Sequence, residues 1–262
     1  MFGFLFRKTI FDGWDNILRI FLANILYIIL LALEVLWWYL NAKGILALAL
    51  TILLMLLTLV IISIYTMGVA VFTANICEGA RKQETLKGIK ETIKTHIPHC
   101  IMHSFIIAVV FVNVVFAIPF YLQMEGFMGP VMAFVGLFLS VFLVFNFKYY
   151  LPLCIIRSKE SVLDIVKYSF AYALDNKGVT AGLMLRSALD LIISVPLVGI
   201  LPGFTGILLS DNCATIILNK RYLMAEEKKV EKNEIPMDDV LFEMGKQKYD
   251  KRKMTSLLFP GR

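Results

Sequence analysis

Apolar residues in this chain come in runs longer than a water-soluble helix needs. The runs cover Ile17–Leu40, Ile45 to about Ile76, Ile97–Leu122, Phe127–Leu151, Val179–Leu201 and Pro202–Leu218. Crossing about 30 Å of hydrocarbon takes about 20 apolar residues in a helix. The pattern therefore predicts an all-α polytopic transmembrane bundle of about six spans over residues 17–218. A short N-terminal segment, 1–16, precedes it and a soluble basic tail, 219–262, follows. The second run exceeds a straight crossing, so it tilts or continues past the membrane around Gly68. The sixth is short and carries Asp211 and Asn212; it is either a full span or a re-entrant pair with the broken end of the fifth. Trp37-Trp38-Tyr39 closes the first run with a cluster that prefers the headgroup level.

The polar breaks differ in charge. Those at 41–44, 123–126 and 199–203 hold one basic residue, Lys43. Nearly all other Lys and Arg lie in the N-terminal segment, the stretches Glu78–Thr95 and Arg157–Gly178, and the tail. Basic residues are retained on the cytoplasmic side. Both termini and both long loops are thus expected inside a bacterial-type inner membrane, which requires an even number of spans.

Composition agrees with a lipid environment. Of 262 residues, 59% are hydrophobic and 18% charged, against about 45–50% and about 25% in soluble domains. A net charge of +6 suits anionic headgroups. No nucleic-acid motif accompanies the basic residues, so nucleic acid is not expected as a partner. Arg7 and Lys8 resemble the start of a signal peptide, but Phe11-Asp12-Gly13-Trp14-Asp15-Asn16 interrupts it and no small-residue cleavage site follows. Cys77, Cys100, Cys154 and Cys213 form no CxxC pair and suggest no disulfide framework. Cys77, Cys100 and Cys154 fall near cytoplasmic ends of spans, where thiols stay reduced, and all four are expected as small apolar packing residues.

Both long loops carry an amphipathic pattern. Arg81-Lys82-Gln83-Glu84-Thr85-Leu86 lines up with Arg157-Ser158-Lys159-Glu160-Ser161-Val162. Helical stripes follow: Leu86, Ile89, Ile93 and Ile97 in the first, and Val162, Ile165, Val166, Ser169, Phe170 and Ala173 in the second. Ser161 and Asp164 have capping-box spacing. Two cytoplasmic amphipathic helices are expected, lying along the membrane surface or under the bundle. The implied unit of span, surface helix and span would occur twice, at 45–122 and 127–201. Residues 222–234 read as a helix extending from the last span. The end of the tail, Lys246–Lys253 followed by Leu257-Leu258-Phe259-Pro260, would either lie disordered on lipid or dock onto the cytoplasmic helices.

The lead at 11–16, the stretch from Ala74-Asn75 to Lys94, Tyr150-Leu151-Pro152-Leu153, Leu201-Pro202-Gly203 and Asn219-Lys220-Arg221-Tyr222 together resemble the YesL-like family of bacterial membrane proteins, a domain of unknown function. The likeness covers most of residues 10–223 and omits the tail. It implies an accessory role beside sugar-uptake transporters and supplies no catalytic residues.

Ionisable groups inside spans are the first candidates for chemistry, because hydrocarbon makes each costly unless it is paired. Arg186 and Asp190, four positions apart, share a helix face and can neutralise each other. Beyond them Pro196, Gly199, Pro202 and Gly203 break the helix, and Asp211 and Asn212 follow. Polar groups around an interrupted helix pair are how transporters build binding sites; the plainer reading is an ion pair that fixes helix register. Glu34 reads as a side chain snorkelling to the interface, against Lys43. His96, His99 and His103 repeat along one face, a spacing metal ligands use. No carboxylate lies within a turn and Pro98 disturbs the geometry, so they are weak metal or pH-sensing candidates and no metal or other cofactor is expected. Asn24 and Asn113 read as interhelical hydrogen-bond groups.

No GxSxG, HExxH or phosphate-binding glycine loop is present, so no enzyme is expected. Two functions remain: a non-enzymatic accessory or scaffold subunit contacting another membrane protein or itself, and a small transporter or channel using the fifth-span polar site.

Overall fold

The computed structural model describes residues 1–78, 86–197 and 199–251, and every regular element among them is helical. In chain order these are α1 (Phe2–Asp15), α2 (Ile17–Ala42), α3 (Leu48–Glu78), α4 (Leu86–Thr95), α5 (Ile97–Leu122), α6 (Met128–Ile156), α7 (Val162–Asp175), α8 (Lys177–Ser194), α9 (Gly203–Lys228), α10 (Met237–Glu243) and α11 (Lys246–Lys251).

Four of them, α2, α3, α5 and α6, are long and apolar enough to cross a membrane. No more than 28% of the most apolar window of any of these is buried by protein, and in α5 only 6%. Leu18, Leu22, Leu26 and Ile29 point outward along α2, while Ile20, Asn24, Tyr27 and Leu30 point inward. In water each exposed Leu or Ile would forgo about 1.5–3 kcal/mol of burial. A surface so apolar needs an apolar solvent, and the chain is a membrane-embedded protein.

The expected fifth and sixth spans fall on α8 and α9, which do not meet the same description. In α8 the charges Lys177, Arg186 and Asp190 interrupt the apolar run, and α9 carries Asp211 and a charged C-terminal end. α9 runs on past Leu218 as the expected extension would, but ends at Lys228, short of the expected 234, where Lys229 turns left-handed. Residues 1–16, expected as a short N-terminal segment with no element assigned, contain the helix α1. The alignment at Arg81–Thr85 and the apolar tip 257–260 lie outside the described residues.

The chain divides into two compact units, 1–25 with 69–85 and 181–262, and 26–68 with 86–180. In the first, α9 is the central element: Leu209, Ser210, Asp211, Asn212, Cys213, Ala214 and Thr215 are all buried. α1 packs on it, with Phe4, Leu5 and Phe11 buried. The tail residues described also pack here, with Val240, Leu241 and Tyr249 buried and α11 against α1. Arg221 donates from Nε and Nη2 to the Ile235 carbonyl at 3.1 and 3.0 Å, folding the chain after Lys229 back along α9.

In the second unit, prolines set the local form of the spans. Pro119 has no N–H to give four residues back, and α5 widens into a π turn over Asn113–Ala117. Pro152 acts likewise on α6, which tightens to a 3-10 turn at Phe147–Tyr149. Asn113 spans the close approach to α6, donating to Gly136 O and Ser140 Oγ; a Cβ on Gly136 would sit 3.0 Å from the Asn113 amide oxygen. α7 begins as its sequence predicts. The Asp164 amide donates to Ser161 Oγ at 3.2 Å, and Ser161 Oγ donates to the Asp164 carboxylate at 2.6 Å. Its buried stripe is Ile165, Ser169, Tyr172 and Ala173, and Ser169 donates to the Asn146 carbonyl.

Candidate functional site

The predicted helix break lies in the first unit, and one side chain organises it. α8 ends at Ser194, two residues before Pro196, and α9 starts at Gly203. Gly199 and Gly203 take positive φ, 74° and 58°, a region that favours glycine. The polar groups freed by the interruption find Asn24 of α2. Its Nδ2 donates to the carbonyls of Ile200 and Pro202, both at 2.8 Å. Its Oδ1 accepts from the Thr205 amide at 3.0 Å and from the Thr205 hydroxyl at 2.8 Å. Gly203 N donates to Ser194 Oγ at 2.8 Å. A Cβ at Gly203 would lie 2.5 Å from the Asn24 amide. Asn24 is thus the interhelical group its position predicts, and its partners are the break itself.

Arg186 and Asp190 form the expected pair, Nε to Oδ2 at 3.5 Å, largely shielded. The Phe6 ring of α1 lies 5.3 Å from the guanidinium carbon, a cation–π placement that composition gave no means to foresee. Asp211 also attracts the guanidinium. Asn212 points elsewhere, donating to Ala70 O at 2.9 Å and Thr73 Oγ1 at 2.7 Å of α3. Of the four candidates, Arg186, Asp190 and Asp211 form one electrostatic group, and Asn212 ties α9 to α3.

The cysteine expectation is corrected. Cys77 and Cys213 are joined by a disulfide, and Cys100 and Cys154 are the free pair. Sequence spacing could not reveal the bridge, because the last turn of α3 meets the middle of α9 only in the fold. Both bridge cysteines are buried, at 2% and 0% exposure.

A second buried cluster escaped the sequence reading. Lys8 Nζ donates to Asp12 Oδ2 at 2.8 Å and to the Tyr249 hydroxyl at 3.0 Å, and that hydroxyl donates to Asp12 Oδ1 at 2.8 Å. Lys8 is 2% exposed. The i,i+4 spacing of Lys8 and Asp12 was legible; that Tyr249 closes the triangle was not.

In the second unit the histidines do not converge. His96 Nδ1 meets the Thr92 carbonyl at 2.7 Å and Nε2 the Cys154 carbonyl at 3.0 Å. His103 Nδ1 meets Ser63 Oγ at 3.2 Å, with its ring stacked on Tyr150. His96 and His99 are buried, with the His99 ring 5.4 Å from that of His96 and 6.4 Å from that of Tyr150. Among the described residues no three His, Cys, Asp or Glu side chains are placed to hold a metal ion.

Glu34 departs from the snorkelling expectation. Both carboxylate oxygens are shielded and make no hydrogen bond among the described residues. Lys43 sits over the Tyr39 ring at 5.7 Å.

No family model, curated protein or solved structure matches the chain.

Proposed function

We propose that the chain is a six-crossing protein of a bacterial inner membrane, with α8 and α9 as its fifth and sixth crossings and both termini cytoplasmic. In this reading it serves as a non-enzymatic accessory or scaffold subunit of a membrane complex. Support for the fifth crossing comes from the pattern on α8. Leu185, Leu189, Ile192 and Ile193 are exposed, while Ser187, Asp190 and Ser194 are buried. That is the reverse of a helix facing water and suits one facing lipid. At 26 residues, α9 has the length to span.

The observation that favours a scaffold is how the interior polar groups are used. Asn24 is committed to the helix break, Asn212 to α3, Ser194 to Gly203, and Arg186 to Asp190. Such groups fix helix register. The resemblance to the YesL-like family points the same way, toward an assembly around a solute transporter, sugar uptake being the expected class. Anionic lipid and another membrane protein, or a second copy, are the partners of this reading. Gentle-detergent purification followed by identification of bound chains tests it. A stoichiometric membrane partner, lost when the chain is cut after Asn219, supports the scaffold. Purification as a lone chain, with or without the tail, refutes it.

One observation favours a transporter or channel instead. Nη1 of Arg186 is shielded and makes no hydrogen bond among the described residues, as an anion-receiving group would. Solute flux lost in Asp190→Asn with assembly intact supports that second reading. Unchanged cellular function in both Asp190→Asn and Asp211→Asn excludes it.

A further inference from the structure

Glu34 stands in α2 eight residues before its end at Ala42, about 12 Å inside that terminus at 1.5 Å per residue. The Trp37–Tyr39 belt lies one turn nearer the end. The donors around Glu34 are engaged with other groups. Trp37 Nε1 donates to Thr58 Oγ1 at 3.1 Å, and Thr58 donates onward to the Leu54 carbonyl at 2.9 Å. Two turns in the other direction Tyr27 meets Tyr65 of α3 edge to face, ring centroids 4.8 Å apart. Lys43 lies over Tyr39, and His103 of α5 meets Ser63. Titratable groups on the neighbouring helices and on α2 itself include Tyr27, Tyr39 and Lys43, Tyr65 of α3, and Tyr121 of α5, whose Phe116 meets Trp38 at 5.7 Å. None of them is a hydrogen-bond partner of the Glu34 carboxyl.

A carboxylate with neither donor nor counter-charge is among the costliest groups to hold in hydrocarbon. A hard metal cation would need several oxygen ligands, and no such group is assembled here among the described residues. A proton needs only the carboxyl itself. We propose that Glu34 is an intramembrane proton-binding site, its carboxyl taking up a proton near the Trp37–Tyr39 belt and holding it as the neutral acid between α2 and α3. This rests on α2 being a membrane helix and is independent of the accessory role.

Carbodiimide labelling of the intact protein in lipid vesicles tests it. The acid adds whole across the reagent: its proton goes to one nitrogen and its oxygen to the central carbon, and rearrangement leaves a stable acylurea. Nothing departs, so the peptide containing Glu34 gains the full reagent mass. A membrane-soluble carbodiimide is expected to label Glu34 roughly tenfold faster than a water-soluble one, because the group lies in hydrocarbon. Labelling should slow as pH rises, and Glu34→Gln, an isosteric neutral amide, serves as the unlabelled control. Equal labelling by both reagents would mean a carboxyl at the aqueous surface, and labelling by neither a charged, paired one. Either result overturns the proposal.

Discussion

Asn24→Leu removes all four hydrogen bonds that hold the break between α8 and α9 to α2, and it leaves the carbonyls of Ile200 and Pro202 and the amide of Thr205 without this partner. A side-chain hydrogen bond between membrane helices averages about 0.6 kcal/mol, and a buried polar group left unsatisfied costs about 1–3 kcal/mol. The bonds alone amount to about 2 kcal/mol, and orphaned backbone groups raise the expected loss to about 2–4 kcal/mol. For a chain of this size that lowers the melting temperature by roughly 5–15 °C. Thermal unfolding of the detergent-purified protein, followed by size-exclusion chromatography after heating, gives the readout. Gly203→Ala should act on the same joint, since its Cβ meets the Asn24 amide and its φ is positive. The two losses should combine to less than additive in the double variant. An Asn24→Leu protein that melts within about 1 °C of the parent would refute the view that Asn24 holds the break.

Alkylation before and after reduction, read by mass spectrometry of the denatured protein, should find Cys100 and Cys154 as thiols and Cys77 and Cys213 modified only after reduction; four thiols without reductant would contradict the pairing. Tyr249→Phe removes two hydrogen bonds to charged groups, each worth about 1.5–3 kcal/mol. It should raise protease cleavage within 230–251 by at least about tenfold, and unchanged cleavage would count against Tyr249 as the tail's anchor. The Asp164 carboxyl is held below its ordinary range by the Ser161 hydroxyl first and by Lys167 second. Its carboxylate form therefore supports the start of α7 at pH above the ordinary carboxylate range, and that support is lost as pH falls through the lowered folded value. An NMR titration should show the low midpoint and its rise in Ser161→Ala; a midpoint unmoved by that substitution would remove the cap as its cause.

What could be read from the sequence follows from the range of the interactions involved. Apolar run length and the Ser161–Asp164 spacing are local, and α2, α3, α5, α6 and the start of α7 match their expected places within a few residues. The break at Pro196–Gly203 was equally local, since proline and glycine act on their own backbone. The N-terminal helix was hidden because its buried face includes Lys8, Thr9 and Asp12, polar residues that break an apolar stripe and of which Lys8 and Asp12 find a partner in Tyr249. The Cys77–Cys213 bridge and the Phe6–Arg186 contact join segments far apart in sequence, and no residue pattern announces them. Glu34 was misjudged for a related reason. Its place three residues before Trp37 suggested an escape to water, whereas both carboxylate oxygens are shielded in the fold.

Topology mapping with paired reporters decides whether the chain crosses the membrane six times with both termini inside. Reporters placed in the 123–126 turn, near residue 200 and after Arg262 each read one side of the membrane. The first two are expected to be exported and the last retained, along with one inserted in the 82–95 segment. A reporter after Arg262 found on the same side as one near residue 200 would mean that α9 does not cross. Export of the 82–95 reporter would reverse the orientation of the whole chain.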